Sequence, residues 1–360
     1  MKINPKKILV IQHKQIGDVI LTTPTVKALK EHFPDAHITF LTEKFCAPIL
    51  EGNPYIDEIV SFDKKELKSL FSQLRFYWSI RKMKFDLVVD FFQNPRSTLI
   101  TAMSGAETTL SYDHPVRGRF YKLTVTPKPA YAVDYKLHML TALGIESDDN
   151  YPIVAVPESA QKSIDDYLKS VGIKDGDFIV SVDATHKRAT REWTRDGYAG
   201  LVDLLCAHYD AKVILTYGPG EYERVKIIQD MCRYECYISP ETTLKQLAAL
   251  IKRSHILIGN DSAPRHLAVS QNTPTLAVAG STSDGWLHPD PIHRVIRKGI
   301  DCQPCRKSTC DYDIKCMKTL SSQEVFDALN EFIDLSDTLK HFLTREVTHK
   351  PSPKKEVANG

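Results

Sequence analysis

Residues 7–32 read KILVIQHKQIGDVILTTPTVKALKEH, and the fold follows from this stretch. Lys7-Ile8-Leu9-Val10-Ile11-Gln12 is a short apolar run of strand length. A turn at Ile16-Gly17-Asp18 follows it, and helical spacing runs from Pro24 to His32. The same alternation continues downstream. Strands are expected at Ile38–Leu41, Ile59–Phe62 and Asp86–Phe91, with a helix over Leu67–Met83. β-branched runs separated by helical segments predict a parallel sheet with helices on both faces.

The pattern pauses at Tyr151–Glu158, which holds Pro152 and Pro157, and then restarts. Strands are expected at Asp177–Val182, Lys212–Thr216, His255–Gly259 and Thr275–Ala279. Helices are expected at Tyr198–Tyr209, Tyr222–Cys232, Leu244–Lys252 and from Pro264. The 360 residues suit two domains at ~150 residues each. The expected division is an α/β domain over 1–155 and a second over 160–320, each Rossmann-like, facing a central cleft. Ligands of open parallel sheets bind outside the strands' carboxyl ends, so function is expected in the loops after strands. Ser321-Ser322-Gln323-Glu324 reads as a capping box for a late helix over 321–345. The tail over 346–360 lacks core-forming residues and is expected to be disordered.

Composition narrows the class. Hydrophobic residues make up 42% and charged residues 26%, which supports a core of ordinary size. No apolar run approaches the ~18 residues of a membrane span. The N-terminal apolar run is too short for a signal peptide, so a cytoplasmic location is expected. With 47 basic and 45 acidic residues the net charge is +2, and no nucleic-acid partner is expected.

Three strand-end segments carry the chemistry. The first is Gln12–Pro24. Gly17 permits a tight turn, and Asp18 stands at the strand end, where its carboxylate can take a proton from a hydroxyl nucleophile or cap the helix that follows. The spacing fits neither a dinucleotide fingerprint nor a P-loop. The second is Ile258–Ala268. Pro264 sits at the start of a helix, whose N-terminal amides and dipole would suit a pyrophosphate. Asp261 and Ser262 also read as helix caps, and His266 as either a phosphate-orienting or a buried structural residue. The third is Asp183–Trp193, a hydroxyl-rich and basic loop able to clamp phosphates or to stand solvated. At Tyr217-Gly218-Pro219-Gly220-Glu221, the glycines admit a ligand, and Glu221 or Glu223 could accept hydrogen bonds from ribose hydroxyls.

Taken in order, these segments, with Phe85–Asp90 and the Cys302-x-x-Cys305 stretch leading to Cys316-Met317, resemble the lipopolysaccharide heptosyltransferases that use ADP-heptose. That family is glycosyltransferase family 9, inverting enzymes of the GT-B fold. The resemblance spans roughly residues 6 to 335. It implies that Asp18, the catalytic residue, deprotonates or orients an acceptor hydroxyl, that Thr185, Arg191, Glu221, Asp261, Ser262, Ala263 and His266 bind the donor, and that the late helix over 321–345 crosses back to the first domain. It implies a lipid A–Kdo or heptosylated core acceptor, met by Lys14, Gln93, Asn94, Arg96, Arg117 and Arg119, with Lys122 in the same basic cluster. Peripheral contact with the cytoplasmic face of the inner membrane follows from such an acceptor. The chain departs from the family where Arg191 replaces a lysine, Thr194 a proline, and Ser262-Ala263 a Thr-Gly pair. Arg191 keeps the charge with a different geometry. Two alternatives remain at this stage: a GT-B enzyme using another nucleotide sugar, by transfer or epimerisation, and a binding protein with a decayed site. Asp18, Asp261 and His266 count against decay.

No acidic pair suggests a catalytic metal, so no cofactor is expected for catalysis. Cys302, Cys305, Cys310 and Cys316 have the spacing C-x₂-C-x₄-C-x₅-C. They could form a structural zinc site, a disulfide, or a set of reduced thiols packing a loop.

Overall fold

The computed structural model of the chain describes residues 3–344 and 353–354. The expectation of a disordered tail over 346–360 therefore falls, Pro353 and Lys354 apart, outside the described residues. The chain divides into two compact units, Met1–Ala155 and Val156–Gly360.

The first unit is built on β1 (Lys7–Ile11), β2 (His37–Glu43), β3 (Glu58–Phe62), β4 (Leu87–Asp90), β5 (Thr108–Tyr112) and β6 (Leu123–Val125). The second is built on β7 (Ile179–Asp183), β8 (Lys212–Thr216), β9 (Tyr237–Ile238), β10 (Ile256–Asn260), β11 (Thr275–Val278) and β12 (His293–Ile296). The sheet orders are β3-β2-β1-β4-β5-β6 and β12-β11-β10-β7-β8-β9, with parallel pairing throughout. Counted from its own first strand, each unit has the doubly wound Rossmann order. In each, the order reverses between the first and fourth strands: β1 beside β4, and β7 beside β10.

Burial explains the strand sequences. Ile8, Leu9, Val10 and Ile11 are all fully buried, as a strand covered on both faces requires. In the first unit, Leu9, Ile11 and Val88 pack against Tyr77 and Ile80 of the helix Leu70–Lys82. In the second, Val180, Val182 and Ile258 pack with Leu201 and Leu205 of the helix Arg195–Tyr209.

The late segment differs from its expectation. It forms two helices, Ser322–Asn330 and Asp337–Thr344. The capping box is present: Glu324 N donates to Ser321 Oγ at 3.2 Å, and Ser321 N to Glu324 Oε2 at 2.8 Å. The chain turns between the helices and keeps Phe332 fully buried. Both helices bury their apolar faces in the second unit's own core, where Phe342 stacks on Phe178 at 4.9 Å. The late helix expected over 321–345 is thus two helices, with Phe332 and Phe342 seated in the second unit's core.

One contact sets the spacing of β7 and β10. A Cβ on Gly259 would lie 2.5 Å from the Asp183 carbonyl oxygen and 2.9 Å from its nitrogen. Neither atom can retreat, because both belong to the neighbouring strand. Gly259→Ala should therefore lower stability by ~1–3 kcal/mol, as overpacking does. Thermal unfolding checks this, and a native melting temperature would contradict the close approach.

Candidate active site

The first unit gathers polar groups at the carboxyl ends of β1 and β4. Beyond β1 the chain runs through buried Gln12 and His13 to the short helix Ile16–Ile20, which carries Asp18. Four hydrogen-bonding groups link that carboxylate to a buried lysine. Lys136 Nζ donates to Gln12 Oε1 at 3.1 Å, and Gln12 Nε2 donates to the Lys14 carbonyl at 2.7 Å. The N–H of the same peptide, on Gln15, donates to Asp18 Oδ2 at 3.2 Å. Asp18 thus closes the first turn of its helix, and the cap reading of the sequence is present in the geometry. The cap leaves the other carboxylate oxygen for further chemistry.

The charges here oppose each other usefully. Burial raises the proton affinity of Asp18, while the Lys136 ammonium and the Gln15 N–H pull it back. Burial lowers the Lys136 ammonium to about 8, opposed by Asp18. Lys136 also lies 5.4 Å from the Phe91 ring centroid, a cation–π contact that helps hold a desolvated charge. A second basic group surrounds His13. Burial first, then the charges of Arg96, Lys64 and Lys14, lower that imidazole to about 3 and keep it neutral.

The structure sorts the expected acceptor residues. Lys14 and Arg96 come together around His13. Gln93 and Asn94 are committed to the backbone: Gln93 Nε2 donates to the Tyr112 carbonyl at 2.6 Å, and Asn94 Oδ1 accepts from Ser97 N at 2.7 Å as an N-cap. Arg117 precedes the 3₁₀ turn Gly118–Phe120 and Arg119 lies within it, where Arg119 Nε donates to the Val116 carbonyl at 2.8 Å.

In the second unit the carboxyl ends of β7 and β10 meet. Ser262 precedes the helix Ala263–Ser270, but its hydroxyl makes no cap. It donates instead to Asp183 Oδ2. Burial pushes Asp183 up to about 7, against that hydrogen bond and with the help of Glu221's charge. Asn260 ties the loops: its Oδ1 accepts from Trp193 N at 2.9 Å, and its Nδ2 donates to the Asp183 carbonyl at 3.2 Å. Asp261 forms a 2.7 Å ion pair with Arg265, both side chains nearly inaccessible. Burial lowers Arg191, whose guanidinium feels Asp261, Arg188 and Arg265 nearby. The site thus gathers three arginines beside a helix N-terminus. His266 is buried, held neutral near 3 by burial and then by Arg265, and its Nδ1 has no hydrogen-bond partner among the described residues.

Thr185 and Glu221 meet, but chiefly serve each other. Thr185 Oγ1 donates to Glu221 Oε2 at 2.7 Å, Gly218 N donates to the same oxygen at 3.1 Å, and Arg224 pairs with Oε1 at 3.2 Å. Ala263 is the first residue of its helix.

The cysteine segment is a docked loop. All eight cysteines are free thiols, and no group of three or more His, Cys, Asp or Glu among the described residues is arranged to hold a metal ion. Among the described residues neither a metal-ligand cluster nor a disulfide is seen, and Cys310 Sγ accepts from Tyr312 N at 3.4 Å and Ile314 N at 3.3 Å. The segment braces the basic loop directly. Thr190 Oγ1 donates to the Lys307 carbonyl at 3.1 Å, and Arg306 N to the Ser281 carbonyl at 2.8 Å.

Sequence reasoning missed Lys136, Gln12 and Lys64. Lys136 lies on the helix Ala132–Met139, which shows no clear amphipathic stripe. Nothing local marks Lys136 as buried. Its signal is its distance in sequence, 124 residues, from the glutamine it meets.

The sequence profile of glycosyltransferase family 9 (heptosyltransferase) matches residues 73–315. Lipopolysaccharide heptosyltransferase 3 of Escherichia coli is 27% identical over 287 residues, covering 76% of this chain and 83% of the relative. Among solved structures, a family 9 glycosyl transferase from Veillonella parvula superposes with a TM-score of 0.84 at 24% identity, covering 95% of this chain and 99% of that one. The E. coli heptosyltransferase WaaC, solved with ADP, gives 0.69 at 17% identity, covering 91% and 98%. Two Rossmann-like domains with polar groups at their strand ends are the architecture of the GT-B fold. The chain belongs to glycosyltransferase family 9.

The Lys136–Asp18 coupling is testable without substrate. Removing a nearby positive charge favours the protonated carboxyl. In Lys136→Met, Asp18 should titrate at higher pH than in the native chain, and Lys136→Arg should restore the native value. Carbon-13 NMR of the carboxyl reads this, and identical titrations in all three proteins would contradict the coupling.

Proposed function

We propose that the chain is an inverting heptosyltransferase that moves heptose from ADP-heptose to the inner core of lipopolysaccharide. In this reading residues 1–155 bind the acceptor and residues 160–320 bind the donor. The observation that carries it is the Asp18 carboxylate, set at the switch point of the first sheet and tied through Gln15, Lys14 and Gln12 to a buried ammonium. A base so placed has its proton affinity raised by burial while the Lys136 ammonium and the Gln15 N–H favour its ionised form, the balance that general-base chemistry uses.

In the mechanism, an acceptor hydroxyl gives its proton to Asp18 as its oxygen attacks the anomeric carbon. The new C–O bond forms as the bond to the diphosphate breaks, and ADP departs with the electron pair. Arg191 and the N–H groups of Ser262, Ala263, Arg265 and His266 meet the growing negative charge, an electrostatic role of the oxyanion-hole kind. Two buried atoms support a ligand there: His266 Nδ1 and Arg191 Nε have no hydrogen-bond partner among the described residues. Thr185 and Glu221 frame the same pocket of loops. Lys14, Arg96 and Lys64 suit an acceptor bearing Kdo carboxylates or phosphates. ADP as the nucleotide is supported by the E. coli relative solved with it.

Three measurements test the reading. Asp18→Asn should cut transfer by ~10²–10⁴-fold with ADP affinity unchanged. Near-native turnover would reduce Asp18 to a helix cap. The kcat/KM of the native enzyme should rise with pH through a value above the ~3.9 of a free aspartate, because burial raises the Asp18 carboxyl. Arg191→Ala should weaken ADP binding in calorimetry, and unchanged affinity would contradict the donor assignment. Asp261 is a poorer probe, because its removal strands the buried Arg265 charge and should destabilise the fold by ~3–5 kcal/mol.

A further inference from the structure

The helix Leu70–Lys82 has two apolar faces. One is spent in the first unit's core, where Tyr77 and Ile80 pack beneath β1 and β4. The other is open. Leu70 is 72% exposed, Phe71 77%, Leu74 45% and Trp78 56%. At ~100° per residue these four fall within an arc of about 100°, so they form one stripe and not scattered exposure. Four large side chains left in water on one helix need an explanation.

The surroundings of the stripe say what covers it. Lys65 and Lys68 lead into the helix, Arg75 and Lys82 flank the stripe, and Lys84 follows it, all exposed. Among the described residues none of these five makes an ion pair, whereas Lys64 pairs with Glu43. The acidic residues from 63 to 84 are Asp63 and Glu66 alone, in a chain whose charges otherwise nearly balance. Unpaired cations beside a Leu, Phe and Trp stripe are the chemistry of a helix lying in an interface of anionic lipid. Protein–protein interfaces are depleted in lysine, whereas Lys65, Lys68, Lys82 and Lys84 surround this stripe. At 13 residues the helix is shorter than the ~20 of a spanning segment, so it would lie in the plane of the surface.

We propose that the outer face of Leu70–Lys82 docks the first unit onto an anionic bilayer, with Leu70, Phe71, Leu74 and Trp78 entering the headgroup boundary and the flanking lysines and arginines meeting lipid phosphates. This is independent of the sugar transferred, because membrane binding is read without substrate.

The test uses the purified full chain and two kinds of vesicle, phosphatidylethanolamine with phosphatidylglycerol, and phosphatidylcholine alone. The chain should co-sediment with the anionic vesicles, more weakly as salt is raised, and hardly with the zwitterionic ones. Addition of anionic vesicles should shift tryptophan emission to the blue, and Trp78→Phe should abolish the shift while still binding. Leu70→Ser with Phe71→Ser should lower partitioning by about tenfold or more, and Lys65→Glu with Lys68→Glu should remove the preference for anionic lipid. All these side chains are solvent-exposed, so melting temperatures should stay native and separate lost docking from lost folding. Native partitioning of a folded Leu70→Ser/Phe71→Ser variant would overturn the proposal. So would light scattering that shows a dimer which this variant makes monomeric, because the stripe would then face a second copy of the chain.

Discussion

Each sheet is governed by the same constraint: its first and fourth strands are neighbours, and their onward connections leave in opposite directions. That divergence opens a crevice at the carboxyl ends of the pair, and the loops there are not needed to cover the sheet. In the first unit β1 and β4 deliver Asp18 and Arg96 to this edge. In the second, β7 and β10 deliver the basic loop around Arg191 and the helix that opens with Ala263. The chain thus repeats one architecture and fills it with opposite charge, a carboxylate tied to a buried ammonium in one unit and a group of arginines beside a helix N-terminus in the other.

The two sites also differ in how charge is held. In the first unit a single buried ammonium opposes the desolvation of one carboxylate through side-chain amide and peptide groups. In the second, carboxylates are used up internally. Asp261 pairs with Arg265, Glu221 and Glu192 share Arg224, and Asp183 accepts from the Ser262 hydroxyl. Among the described residues Arg188 and Arg191 make no ion pair. Buried pairs of this kind fix geometry more than they add stability, because desolvation offsets much of the attraction.

The central strands were legible in the sequence because burial on both faces makes them continuous apolar runs, as Ile8–Ile11 and Val180–Val182 show. The strands that were not, β5, β6, β9 and β12, fail for physical reasons. Thr108–Tyr112 is rich in hydroxyls, β6 and β9 are three and two residues long, and β12 begins with His293 and Arg294. Of these, β6, β9 and β12 are sheet edges with less to bury, whereas β5 is interior and buries its threonine and serine hydroxyls. Residues in strand-end motifs, such as Asp18, Ser262 and His266, could be found because the turn chemistry around them is local. Whether a side chain was free could not. Gln93, Thr185 and Glu221 proved bound to partners distant in sequence, and Lys136 proved buried by contacts equally distant, whereas Asn94 is engaged locally as an N-cap.

The central claim is that a nucleotide-activated heptose is transferred with inversion by a chain whose base sits in one unit and whose diphosphate clamp sits in the other. Incubation of the purified chain with ADP-heptose and a Kdo-bearing lipid A acceptor, followed by mass spectrometry and NMR of the product, tests it most directly. The account predicts one added heptose with the anomeric configuration opposite to that of the donor. Retention of configuration, or transfer only from a different nucleotide sugar, would contradict it.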